Sequence, residues 1–138
     1  MRTPVVHEAL VLGALTGMRS MAGPAVLAWR RGGIWPRLVS TLAAGEMGVD
    51  KTSIVGDRTD AVPLTGRAVM GAAVGGLIAG QARENVVWGA LIGAAAAVAM
   101  AHVAWHARRR LPLSQVSGGL LEDAIVVAAG AWYARRPA

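Results

Sequence analysis

The chain has 138 residues, of which 54% are hydrophobic and only 16% charged, and its formal net charge is +6. A soluble domain of this length carries more charge. Its 18 glycines also fit membrane helices better than soluble ones, where each costs about 1 kcal/mol relative to alanine. The absence of cysteine excludes disulfides, thiolate metal sites and thiol nucleophiles. Because the arginines stand at the ends of apolar runs, as in membrane loops, we expect no nucleic-acid partner.

The first half of the chain contains two apolar segments followed by a polar stretch. Residues 5–29 are long enough to cross ~30 Å of hydrocarbon, and Gly23-Pro24 predicts a break near their middle. Residues 34–49 are shorter and fit a tilted span, one arm of a re-entrant hairpin or an interfacial helix. Residues 50–64 are polar and predict an ordered loop.

The second half of the chain predicts three more helices, over residues 65–81, 85–107 and 116–133. All five tryptophans lie near the ends of predicted segments, where indole rings favour the headgroup level of a bilayer. We therefore expect an all-α, polytopic membrane helix bundle with four to five segments, some broken or re-entrant, in a single domain over residues 1–138.

Small residues recur at four-residue spacing within these segments. This spacing allows close approach of two helix backbones in lipid, either within one chain or between copies of a homo-oligomer. The glycine pairs are Gly13/Gly17, Gly71/Gly75, Gly76/Gly80 and Gly89/Gly93.

The sequence is weakly self-similar at an offset of 76 positions. The motif Gly-Ala-Leu-x-Gly occurs at residues 13–17 and again at 89–93, and Glu46 falls on Glu122. The pattern predicts an inverted repeat, a construction common in transporters, or it reflects only the shared composition of Gly/Ala-rich helices. The two copies would be residues 5–50 and 81–134, flanking a central helix over 65–81.

The basic residues are nearly balanced between the two sides of a five-span topology, which permits dual insertion and an antiparallel dimer. If the second segment does not cross, the polar loop would lie on the basic, cytoplasmic side and both termini outside.

Four charged residues lie within or beside apolar segments: Arg19, Glu46, Glu122 and Asp123. Burying a charge at mid-bilayer costs at least ~2.5–3.5 kcal/mol, so each of these residues must be paired with an opposite charge, be hydrated or have a functional role. Arginine stays charged, and its planar guanidinium group can bind carboxylates or another anion through two hydrogen bonds. The set is either a substrate or ion pathway, to which Ser20 would add a hydroxyl, or a structural ion-pair cluster. A half-helix starting after the Gly-Pro break would also point its positive dipole end into the membrane, and with Arg19 nearby this would attract an anion.

The polar loop carries charges of alternating sign. The pattern fits a tight loop with short hydrogen bonds, or a gate at the mouth of a pathway that binds ions or headgroups. The candidate loop or gate residues are Asp50, Lys51, Asp57, Arg58, Thr59 and Arg67.

Catalytic and metal-binding patterns have little support. His102 and His106 are four residues apart on one helix face, but they lie near the helix end and no third ligand is nearby in sequence. No hydrolase, metalloprotease, P-loop or dinucleotide motif occurs, so we expect no catalytic residue, no metal and no cofactor.

Several short motifs resemble one pattern across nearly the whole chain. They are Gly17-Met18-Arg19-Ser20-Met21, Pro24-Ala25, Asp50-Lys51, Asp57-Arg58-Thr59, Gly66-Arg67, Gly71 and Leu121-Glu122-Asp123. The pattern is similar to that of a family of small bacterial integral membrane proteins of unknown function. The resemblance implies a helical membrane domain in a bacterial inner membrane, and it implies no substrate.

From these observations we expect a small multi-pass transporter or channel, with an anionic or proton-coupled solute and the lipid bilayer and a second copy as partners. The alternative is a non-transport membrane protein that binds lipid or assembles with a larger membrane complex. A membrane-embedded enzyme is a third hypothesis, and it would need Glu122 or Asp123 to face a pocket open to lipid.

Overall fold

The computed structural model describes residues 1–32, 34, 36–37, 39–42, 45, 61–112 and 114–135. The described residues form helices and contain no strand, which confirms the all-α class for this part of the chain. The helices are α1 (Thr3–Met18), α2 (Ala22–Arg31), α3 (Ala61–Gln81), α4 (Val86–Arg110) and α5 (Gln115–Ala134).

The helices α3, α4 and α5 follow the predicted segments closely. Helix α4 begins where the side chain of Asn85 accepts a hydrogen bond from the backbone N–H of Trp88, and α5 begins with the same type of cap at Ser114. Helix α3 begins four residues before the predicted start, so residues 61–64 of the predicted loop are helical. Arg67, a candidate loop or gate residue, lies inside this helix.

The predicted break in the first segment is confirmed, but the segment does not cross the bundle as one kinked helix. Glu8 in α1 and Arg30 in α2 form an ion pair, although each is eleven residues from Arg19. In a continuous helix they would lie about 33 Å apart. A Cβ added to Gly23 would also lie 2.5 Å from the carbonyl oxygen of Leu12. The chain therefore reverses at residues 19–21, and α2 returns antiparallel to α1.

Helices α1 and α4 run in the same direction. Gly13 packs on Gly93, and one turn further along both helices Gly17 packs on Ala97. The first matched stretch is broken near Arg19, whereas the second lies within the uninterrupted α4. The structure therefore does not show the expected inverted pair, because α1 and α4 would have to run in opposite directions.

Glycines allow α3 and α4 to pack with their backbones nearly in contact. A Cβ added to Gly71 would lie 2.5 Å from the carbonyl oxygen of Gly93, and one added to Gly75 would overlap the carbonyl oxygen of Gly89. The antiparallel helices α3 and α4 thus use the predicted four-residue spacing, as α1 does with Gly13 and Gly17. These faces serve packing within one chain.

The outer surface of the described helices is apolar. Helices α3 and α4 are long and apolar enough to cross a membrane, and only 33% and 22% of their most apolar stretches are buried. A core helix of a soluble protein would bury most of such a stretch. Trp29, Trp88 and Trp132 are each about 60% exposed and lie at one end of the bundle. We call this the Glu84 end, because Glu84 lies there in the turn between α3 and α4.

The Glu84 end also holds the start of α1. Arg2 donates a 3.0 Å hydrogen bond from Nε to Oε1 of Glu84 and another from Nη2 to the carbonyl oxygen of Ala82. The hydrogen bond from the Arg2 side chain holds the pKa of Glu84 below its usual value. The opposite end holds the turn between α4 and α5 and is called the Arg108 end.

Candidate functional site

Arg19 is buried at the turn between α1 and α2. Its side chain is 2% exposed, and its Nε donates a 2.7 Å hydrogen bond to Oδ1 of Asp123, which also lies 2.6 Å from Nη2. The backbone at Arg19 is extended, and its N–H donates to the carbonyl oxygen of Leu15, which closes α1. The chain reversal thus carries the guanidinium into the bundle, where α5 supplies its acidic partner.

The level of Arg19 in the bundle follows from the packing of Gly17. Gly17 contacts Ala97, which lies about 17 Å from Val86 and about 20 Å from Arg110 along α4. Arg19 follows two residues later. The Arg19–Asp123 pair therefore lies near the middle of the longest apolar helix, about as far from either end as a half-bilayer is thick.

The adjacent carboxylates of α5 have different cations. Neighbouring positions of a helix point about 100° apart, so Asp123 faces Arg19 whereas Glu122 faces the end of α4. Arg108 Nη2 lies 3.0 Å from Oε2 of Glu122, and both side chains are mostly buried. The two ion pairs join α5 to the α1–α2 turn on one side and to α4 on the other.

Arg67 lies at the same level of the bundle. Gly71 contacts Gly93 and Ala97, so the preceding turn of α3, which contains Arg67, is level with Ala97 or slightly beyond it. Arg67 is 4% exposed. The described residues thus bring two buried arginines, Arg19 and Arg67, to the depth at which Asp123 also lies.

Two cavities lie beside the Arg19–Asp123 pair. The larger, about 560 Å³, is a groove between α2 and α5. The smaller, about 170 Å³, lies among α1, α4 and α5 and is lined by Arg108 and Glu122 among others. Met18 lines the smaller cavity and Ala22 the larger, so Arg19 stands between them on its own chain. On α5, Glu122 and Val126 flank Asp123 in the same way. Neither member of the ion pair lines a cavity, and each lies along the chain between a residue of the smaller cavity and a residue of the larger one.

The polar groups near the break have separate roles. Thr16 is fully buried, and its hydroxyl donates a 2.8 Å hydrogen bond to the carbonyl oxygen of Leu12, so it serves the end of α1. Ser20 is half-buried in the turn.

Helix α2 begins at Ala22, before the Gly-Pro pair, and Pro24 fits its first turn because no helical partner is needed for the missing N–H. Its positive dipole end therefore faces the same region as Arg19.

Several predicted site residues lie outside the described part of the chain. They are Glu46, Asp50, Lys51, Asp57, Arg58 and Thr59. Half of the second predicted segment and residues 50–60 of the polar loop also lie outside the described residues. The described residues pair Arg19 with Asp123, place Ser20 in the adjacent turn and Arg67 at the same depth, and pair Glu122 with Arg108.

Sequence reasoning did not assign Arg108 to the site, because it ends an apolar run and reads as an interfacial cation. The sequence feature that could have identified Arg108 is its short separation along the chain from Glu122, with a helix end between them. Because α5 runs back toward the Glu84 end after α4 has ended, Arg108 and Glu122 come within ion-pair distance. The ion pair between Glu8 and Arg30 went unrecognised for the same reason, since only the chain reversal brings the two residues together.

Metal ligands do not cluster in the part of the chain that the structure describes, where no group of three or more His, Asp or Glu side chains could hold an ion. His102 and His106 are exposed on α4. Comparisons of the chain with protein-family models, with curated proteins and with solved structures found no match. The resemblance to small bacterial membrane proteins therefore stays a prediction that rests on the motifs alone.

Proposed function

We propose that the protein is a small multi-pass membrane transporter or channel of a bacterial inner membrane, in which the Arg19–Asp123 pair closes the pathway. One observation carries this proposal: the members of a buried, mid-depth ion pair each lie along the chain between residues that line one cavity and residues that line the other. Two discrete cavities on either side of a breakable polar contact are what a gate requires.

Support for membrane insertion comes from the outward surface of the helices. A monomeric soluble protein rarely exposes a large contiguous apolar patch, because each buried Å² of apolar surface is worth about 25 cal/mol. Here large apolar side chains are exposed along α3, α4 and α5, among them Val69, Leu77, Leu91, Val103, Ile125 and Val127. A bilayer would cover this surface, and the exposed tryptophans at the Glu84 end would lie at its interface.

The solute that fits this gate either competes for Arg19 or neutralises Asp123. An anion could replace the Asp123 carboxylate on the guanidinium, where the N-terminal end of α2 adds favourable potential. A proton taken up by Asp123 would remove its charge and weaken the pair by a different route. The two cases are an anion channel and a proton-coupled transporter, and the same variants distinguish them.

The test uses the full chain reconstituted in vesicles that contain a pH-sensitive dye and a chloride-sensitive dye. A potassium diffusion potential drives flux, and Arg110→Gln, at an exposed arginine of α4, serves as the control. Arg19→Met removes the guanidinium that an anion would bind and should abolish chloride flux while the protein still inserts. Asp123→Asn should abolish proton flux but keep or raise chloride flux. If Arg19→Met changes neither flux nor stability, the gate proposal is wrong.

A second candidate is a non-transport role, as a lipid-binding protein or as a subunit of a larger membrane complex. The observation that favours it is that Arg19 lines neither described cavity and has a close carboxylate partner, as a structural ion pair would. Under this reading Arg19→Met would destabilise the protein, and wild-type vesicles would show no flux above protein-free vesicles under any gradient. We also propose a homo-oligomer. Its interface would use faces other than the glycine faces of α1, α3 and α4, which the chain already fills.

A further inference from the structure

The groove between α2 and α5 has a shape that suits a single hydrocarbon chain. Its walls are formed largely by small residues, Ala22 and Ala25 on α2 and Gly130, Ala131 and Ala134 on α5. On α5 it extends from Val126 to Arg135, a distance of about 14 Å along the helix axis.

The length of the groove matches one leaflet of a bilayer. The hydrocarbon core is ~30 Å thick, so one leaflet contributes ~15 Å. The inner end of the groove, at Ala22 and Val126, adjoins the Arg19–Asp123 pair, which lies near the middle of α4. Its outer end therefore lies at the headgroup level of the leaflet on the Glu84 side.

The outer end of the groove is cationic and interfacial. Arg135 lines it and is exposed, and no acidic side chain of the described residues pairs with it. Trp29 lines the same end, is 61% exposed, and donates a hydrogen bond from Nε1 to the hydroxyl of Ser40. An apolar slot that ends in an arginine and a tryptophan matches an acyl chain joined to an anionic headgroup.

We propose that this groove binds one acyl chain of an anionic phospholipid, whose phosphate contacts Arg135. The chain lies along the small residues of α2 and α5, and its methyl end reaches the level of the buried ion pair. The site is distinct from the proposed gate, because Arg19 and Asp123 do not line the groove and transport is not needed for binding.

The experiment uses the full chain in vesicles that contain a trace of phosphatidylglycerol with a photoreactive group on one acyl chain. Phosphatidylcholine with the same acyl chain is the reference lipid. After illumination, labelled peptides are mapped by mass spectrometry. We expect label concentrated on residues 22–29 and 126–134, with phosphatidylglycerol labelling these residues several-fold more than phosphatidylcholine does.

Two variants and two matched controls test the parts of the site. Ala131→Leu should fill the groove and remove most of the label, whereas Ala95→Leu, at an exposed alanine of α4 outside the groove, should not. Arg135→Gln should reduce the preference for phosphatidylglycerol roughly fivefold, the factor expected for one basic residue near a headgroup, whereas Arg110→Gln should leave it unchanged.

Three outcomes would overturn the proposal. Label spread evenly over α3, α4 and α5 would indicate only the lipid annulus. Equal labelling by the two lipids in the wild type would show that Arg135 does not select a headgroup. Cross-linked dimers joined through α2 and α5, with no lipid label there, would show that a second copy covers the groove.

Discussion

The buried pair of Arg19 and Asp123 can be dissected by three variants: Arg19→Met, Asp123→Leu and the two together. Each single change leaves one charge in a region where the surrounding side chains are apolar. The double change replaces the pair with apolar side chains of similar size. The guanidinium cannot lose its proton, whereas a carboxyl group can accept one and become neutral. We therefore expect Asp123→Leu to destabilise the protein more than Arg19→Met does.

The magnitude follows from the burial and the distance. Arg19 is 2% exposed, and its Nε and Nη2 lie 2.7 and 2.6 Å from Oδ1 of Asp123. Removing one partner of such a pair typically costs about 3–5 kcal/mol, because the other charge remains buried without compensation. Replacing both is often close to neutral. Asp123→Leu should then lower the free energy of unfolding by about 3–5 kcal/mol, and the double variant by much less.

The assay is equilibrium unfolding in mixed micelles, and the double-mutant cycle gives the coupling free energy of the two positions. We expect a coupling of at least ~2 kcal/mol. The control cycle uses the more exposed pair of Glu8 and Arg30, whose side chains are 25% and 17% exposed, and should yield about 1 kcal/mol or less. If the effects of Arg19→Met and Asp123→Leu are additive, the pair is not coupled and both the structural argument and the proposed gate fail.

Three further predictions concern packing, pH and capping. Gly75→Val should force α3 away from α4 and cost about 1–3 kcal/mol in the same unfolding assay, whereas Gly66→Ala, where a Cβ has open space, should be neutral or stabilising. The pKa of Glu84 is lowered by Arg2, so their contact stabilises the fold above the usual pKa of a glutamate. This contribution disappears as the pH falls through the lowered value. In the wild type, the protection of the amides in the first turn of α1 against hydrogen exchange, relative to an unfolded chain at the same pH, should fall over that range. In Glu84→Gln this protection should already be low. Asn85→Ala removes the cap of α4 and should lower the free energy of unfolding by about 1 kcal/mol, measured against the wild type in micelles.

Periodicity and composition were sufficient for the later helices. The stretch that becomes α4 has no acidic residue, and Asn85 before it is a good helix cap. Local helix preference and the apolar character of the stretch therefore predict the same start, within a residue or two of the observed one. The charge argument likewise identified Arg19 and Asp123, since a guanidinium in an apolar run requires an acidic neighbour whatever the fold. It could not select Asp123 over Glu122, because the choice depends on the rotation of α5 about its own axis.

The direction of α2 is the clearest failure of reasoning from sequence. A Gly-Pro break is compatible with a kinked helix that continues across the bundle, and also with a turn after which the chain runs back along α1. Both require only that α1 end near Arg19. Contacts between residues far apart in the chain decide between them: Glu8 with Arg30, and Gly23 with Leu12. The parallel direction of α1 and α4, which differs from what the inverted repeat required, is likewise decided by distant contacts, those of Gly13 with Gly93 and of Gly17 with Ala97.

The sequence by itself determined the helical class of the described segments, the apolar outer surface and the need of Arg19 for an acidic partner. These properties depend on local preference and on the cost of a charge in a low dielectric, and neither depends on topology. Only the tertiary structure decided that α1 and α2 form a hairpin, that Arg108 faces Glu122 and that residues next to Arg19 and Asp123 line two cavities. These features arise from packing between helices, where a single glycine contact sets which residues lie at the same depth.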